Sequence, residues 1–159
     1  MTDQPARRIP DPGFGDDDGS ADPALTSALA SYAAGGVGLG EVLGTLQDAR
    51  LLVPVVALAH DRTSDMAAVL VSRTDGRRGL LAFSGQETMR RWDAGARPVP
   101  VTARLAARAA LQEAADALVV DLAGPASAAV TGGDLRAQAA GWQLTRVGER
   151  TGWIRPAGE

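Results

Sequence analysis

An α+β domain with a mixed, mainly antiparallel sheet is predicted by three features of the sequence. Two short apolar stripes at helical spacing come first, Leu25, Ala28, Leu29, Tyr32 and then Leu39, Val42, Leu43, Leu46. Two apolar runs, Ala67 to Ser72 and Arg78 to Phe83, then flank the dipeptide Asp75-Gly76, a β-hairpin signature. Further strand-like runs alternate with short helical segments to the end of the chain. With 159 residues, 45% apolar and 22% charged, there is room for one ordinary domain.

The first 22 residues are rich in Asp, Gly and Pro and lack hydrophobic periodicity. They are expected to form a disordered acidic tail ahead of a domain over 23–159. Asp22-Pro23 then supplies an N-cap and a first-turn proline for the first helix, which Gly35-Gly36 stops. The run Leu51 to Leu58 is apolar on both faces, as in a covered strand, and Pro54 places it at a sheet edge or bulge. In the hairpin, Asp75-Gly76 fits a type I′ turn. Ser84 and Glu87 fit a capping box opening a short helix that carries Met89 and Trp92.

Pro98 and Pro100 enforce an extended path, after which a Thr-capped helix spans roughly 103–115. Ala117 to Leu122 reads as a buried strand, Ala128 to Val130 as another short one, and Asp134 to Ala140 as a helix stopped by Gly141. Trp142 to Val147 alternates, with Trp153-Ile154 placed to pair with it. The three tryptophans are expected to cover core or sheet, since they bring much of the large apolar area in an Ala-rich chain.

The order and spacing of several segments resemble the SseB-type N-terminal domain, in an actinobacterial form. They are Ala49 to Val56, Asp65-Met66-Ala67, the Asp-Gly hairpin, Phe83, Trp92-Asp93, Arg97-Pro98-Val99 and Leu118 to Asp121 with Gly124-Pro125. The resemblance runs from about 25 to 125. It implies a small cytoplasmic α+β domain, and it supplies no catalytic residue, cofactor or substrate.

The composition excludes several chemistries outright. Cys is absent, which removes disulfides, thiolate nucleophiles and Cys-bound metals. A single His leaves no His-rich metal site. All sixteen basic residues are Arg, so lysine Schiff bases and a P-loop lysine are excluded too. The longest apolar run, Leu51 to Ala59, is too short to cross a bilayer and contains Pro54.

The remaining catalytic candidates are thin. His60-Asp61 offers an imidazole beside a carboxylate, but adjacent strand residues point to opposite faces. Ser84 follows a strand as a nucleophile elbow would, yet Ala82 and Gln86 stand where that motif needs glycines. Gly35 to Gly40 follows a helix rather than a strand, and Glu41 occupies the place of the last glycine of a phosphate loop. Asp121 ends a strand where a ligand often binds, without metal-ligand spacing around it.

Charge is the feature with functional content. Residues 73–108 carry a net +5 in a chain of net −3. Arg73, Arg77 and Arg78 cluster at the hairpin tip, and Arg104 and Arg108 share a helix face. These five are the candidate surface for an acidic protein or other anionic partner. Nucleic acid is disfavoured, because the chain is acidic and the block lacks interleaved aromatics. The acidic tail is a candidate intramolecular mask for that surface.

The sequence therefore predicts a non-catalytic cytoplasmic binding or adaptor module with no cofactor and no membrane span. Two alternatives stand beside it: a small enzyme or nucleotide-handling protein using His60, Asp61 or Asp121, and a homo-oligomeric subunit joined through the Pro54 strand or the C-terminal hairpin.

Overall fold

The computed structural model describes residues 15–57 and 66–157. Residues 1–14 of the expected tail, and His60 with Asp61, lie outside the described residues.

The chain opens with a helical pair, α1 (Pro23–Ala33) and α2 (Leu39–Leu46). Asp22 caps α1 through its carboxylate, which accepts from the amides of Ala24 at 2.8 Å and Leu25 at 3.4 Å. Gly35 ends the helix region at φ +77°, a conformation costly for any residue with a β-carbon. The predicted stripes point inward: Leu25, Leu29, Val42, Leu43 and Leu46 are all buried. Each such leucine adds about 1.5–3 kcal/mol of apolar burial, and neither helix is long enough to persist without it.

Ten further elements follow α2 and lead up to a C-terminal hairpin. They are β1 (Arg50–Ala57), β2 (Met66–Ala68), β3 (Leu70–Ser72), β4 (Arg78–Ala82), α3 (Gln86–Trp92), β5 (Arg97–Thr102), α4 (Ala103–Gln112), β6 (Ala117–Val120), β7 (Ala128–Thr131) and α5 (Gly132–Ala140). The hairpin itself is β8 (Gln143–Val147) with β9 (Arg150–Ile154). The class is α+β and the pairing is mixed and mainly antiparallel, but the strands divide among three sheets. Their orders are β2-β1-β5, β3-β4-β6-β7 and β8-β9. The β4–β6 pair is parallel, with Leu80 opposite Leu118. Leu52 and Phe83 stitch the first two sheets together by exchanging both backbone hydrogen bonds at 2.8 Å.

Three local readings are corrected by this arrangement. Pro54 sits in the middle strand of its sheet and not at an edge. Leu52 turns its backbone groups toward Phe83, so by alternation those of residue 54 also face away from β5, and Pro54 meets Pro98 as a non-bonded pair. On its other side β1 changes partner from Phe83 to β2, so the missing amide falls at that junction. The prolines of β5 follow the expected rule, since β5 is an edge strand.

The hairpin turn is not type I′. Only Gly76 has positive φ, +87°, and its amide donates to the Arg73 carbonyl at 3.0 Å. A type I turn closed by a left-handed glycine fits this pattern. The first arm of the hairpin also splits at Val69, where the chain leaves β1 and joins β4: the Leu81 amide donates to the Val69 carbonyl at 3.1 Å.

Ser84, finally, does not cap α3. The N-cap residue is Gly85, without a side-chain bond, and Glu87 is instead exposed beside Arg91 at 3.2 Å. The reason is a competing long-range partner for Ser84, described below.

Strand alternation sorts the core into two layers. Leu80, Ala82, Leu118, Val120 and Val130 face α1, α2, α4 and α5 in the main cluster. Leu81 and Phe83 face the opposite way and meet Leu52, Met89 and Trp92. Helix α4 enters the main cluster through Ala103, Ala106, Ala107 and Ala110, each at most 1% exposed. The alanine richness of the sequence is here a packing device, because a methyl face lets a helix approach its neighbours closely. Of the tryptophans, Trp92 and Trp153 pack against core clusters, and Trp142 is an exposed residue.

Candidate functional site

The outer face of the β3-β4-β6-β7 sheet is only partly covered. α3 lays Met89 and Trp92 over one part of it, against Leu81 and Phe83. Toward β7, Val119 is half-buried and Ala129 and Thr131 are exposed. A groove of about 660 Å³ runs there, floored by Val71, Gly79, Val119 and Ala129 and flanked by Leu111 and Leu122. These two leucines are 41% and 45% exposed. Gly79 has a local reason: a β-carbon there would lie 2.7 Å from Cγ2 of Val119.

Four guanidinium groups rim this groove: Arg73, Arg77, Arg78 and Arg136. The first three come from the hairpin, as the sequence suggested. Arg136 was missed, because it lies on α5, far along the chain, and only the packing of α5 beside β7 brings it in. Arg78 has a structural task as well, donating to the carbonyls of Glu113 at 2.6 Å and Ala114 at 3.5 Å at the end of α4. Arg73 lies 3.6 Å from Asp75 in a loose surface pair. Arg77 and Arg136 make no ion pair among the described residues.

Arg104 and Arg108 do not line the groove. Both are exposed on α4, and the guanidinium of Arg104 lies against Gly141, at the C-terminus of α5. A cation suits that position, where the helix dipole presents its negative end.

The acidic residues ahead of α1 do not reach the arginine groove within the described part. Asp17 pairs with Arg50, whose guanidinium also donates to the carbonyls of Ser20 and Ser84, the latter at 3.0 Å.

Asp121 proves to be an anchor inside the domain. It is 3% exposed, at φ +58°, and its carboxylate accepts three hydrogen bonds. The Ser84 amide donates at 2.8 Å, the Ser84 hydroxyl at 2.6 Å and the Thr88 hydroxyl at 2.7 Å. These donors replace the water lost on burial and explain why Ser84 left its expected capping role. Among the described residues no group of three or more His, Asp or Glu side chains is placed to hold a metal ion. No helix among them is long and apolar enough to cross a membrane.

No curated protein and no solved structure matches the chain. The family model described as the SseB protein N-terminal domain matches residues 25–137. That match extends the sequence resemblance through β7 and into α5, taking in Arg136 and every residue that lines the groove. It covers well over half of the polypeptide, and the chain belongs to the SseB family.

Proposed function

We propose that this SseB-family domain is a non-catalytic cytoplasmic binding module that takes an acidic protein segment into the arginine-rimmed groove. The observation that carries the reading is the combination found there. An apolar floor is left open with two exposed leucines beside it, and among the described residues three of the four surrounding guanidinium groups, those of Arg77, Arg78 and Arg136, pair with no carboxylate. Apolar anchors on a partner would bury against Leu111 and Leu122, while its carboxylates would pair with Arg77 and Arg136 and set orientation. Asp121, the one carboxylate of the alternative enzyme reading that is described, has its oxygens engaged by Ser84 and Thr88 and is a poor general base. Pro54, being central, offers no edge for self-association.

The test is fluorescence anisotropy with a labelled peptide carrying four glutamates and two leucines, and its glutamine counterpart. Binding is expected for the acidic peptide only and should weaken as salt rises. The double variant Arg77→Glu, Arg136→Glu should weaken it at least tenfold while leaving the far-UV spectrum unchanged. Equal binding of the glutamine peptide, or an unaffected double variant, would overturn the reading. Tighter binding of a single-stranded RNA oligomer would transfer the groove to nucleic acid.

A further inference from the structure

The segment over 15–22 runs across the domain as a separate strip, held almost entirely through polar contacts. Asp17 and Arg50 have side chains only 14% and 13% exposed, and Arg50 reaches from Asp17 to the carbonyls of Ser20 and Ser84. Asp17 also accepts from the Gly19 amide at 2.8 Å, turning the chain so that the Gly19 carbonyl receives the Gln86 amide at 2.7 Å. Two glycines make the contact flat. Gly19 has φ +81° and lies against the Gln86 side chain, and a β-carbon on Gly85 would fall 2.7 Å from the Ala21 nitrogen.

Beside the strip lies a half-open cavity of about 510 Å³. Its walls include Leu29 and Ala30 of α1 and Pro125 and Ala126 of the turn after β6, and Ser84, Thr88 and Asp121 also line it. Residues 18–21 of the strip form one wall, and Gln86, Glu87 and Arg91 of α3 form another. None of residues 15–22 belongs to either hydrophobic cluster, and α1 starts with its own cap at Asp22. The domain core is complete without the strip, so its opening free energy is set by a few polar contacts.

We infer that residues 15–21 form a releasable strap, with the Asp17–Arg50 pair as its latch, and that its release widens the cavity beside Ser84 and Asp121. This goes beyond binding at the arginine groove and uses none of its residues. Releasing the latch frees the Gly19–Gln86 bond and removes one wall of the cavity, while the sheets stay folded.

Amide hydrogen exchange on the full chain tests this with two variants. Asp17→Asn removes the latch charge at nearly constant size, and Gly19→Ala opposes the positive φ and the close approach to Gln86. Both should speed exchange at Gln86, whose amide donates to the Gly19 carbonyl, at least tenfold and leave Ser84, Leu80 and Leu118 unchanged. Unaltered protection at Gln86 in both variants would overturn the proposal. Equal acceleration in β4 and β6 would also overturn it, by showing the segment to be part of the core.

Discussion

Ser84 and Asp121, 37 positions apart, are joined twice, backbone amide to Oδ1 at 2.8 Å and hydroxyl to Oδ2 at 2.6 Å. The two bonds tie together the ends of the parallel strands β4 and β6. Removing the carboxylate leaves the buried Ser84 amide and hydroxyl without an acceptor, while the Thr88 hydroxyl keeps the Gly85 carbonyl at 3.2 Å. Asp121→Ala should therefore cost about 3 kcal/mol. Asp121→Asn keeps one oxygen for the Ser84 amide, and the Ser84 hydroxyl can rotate to accept, so it should cost about 1 kcal/mol. Urea denaturation separates the two values, and equal losses would mean that the negative charge, not the acceptor geometry, holds the strands.

Ala114 follows α4 at φ +54°, the left-handed position that glycine usually fills. The Ala115 amide reaches back to the Ala110 carbonyl at 2.9 Å, as such a helix end requires. Nothing in the structure explains why alanine stands there. Ala114→Gly should raise stability by about 1 kcal/mol, the relief of the β-carbon contact less the extra flexibility of glycine when unfolded. A higher urea midpoint with unchanged slope is the expected signature.

The hairpin β8–β9 rests on α2 at a glycine. A β-carbon on Gly40 would lie 2.8 Å from Oγ1 and 2.9 Å from Cγ2 of Thr151, but 3.4 Å from its Cβ. Gly40→Ala alone should loosen the hairpin, and Thr151→Ala in the same chain should restore it. The loss and recovery should each be about 1 kcal/mol, read as a coupling energy in a double-mutant cycle. Additive effects would place Thr151 away from α2 in solution.

The strap has its own acid response. The Ser20 hydroxyl and then the Ser20 amide, at 2.6 Å and 2.9 Å, hold the Asp18 carboxyl below the ordinary aspartate value. A lowered folded value means that this contribution is complete above the ordinary aspartate range and disappears as pH falls through the lowered value. The side-chain carboxyl resonance of Asp18 should titrate below that of a free aspartate. Ser20→Ala should move the midpoint back up, because it removes the larger of the two contacts.

Local chemistry made the helices legible: the Asp22 and Thr102 caps, the glycine stops and the inward stripes are all written within a few neighbouring residues. The turn at Gly76 was legible in position though not in type, since Asp75 proved to need no positive φ. What escaped the sequence was decided across long separations. Ser84 carries an equally good local signal for capping, and the Asp121 carboxylate outcompetes it only once β4 and β6 lie side by side. Pro54 signals a missing amide, and an edge is the usual way to accommodate one. A change of partner strand along β1 is another way, and no residue near Pro54 announces it. The groove was half legible for the same reason: the hairpin arginines are neighbours in sequence, whereas Arg136 joins them through tertiary packing alone.

The parallel register of β4 and β6 governs how the molecule acquires its shape. Before those strands can meet, the chain must close a loop containing α3, β5 and α4, and β5 is the strand that flanks β1 in the other sheet. Both sheets therefore wait on the same closure, whose entropy is lost before any contact is gained. Neither sheet is complete until that loop closes, and the polypeptide should therefore fold slowly for its size.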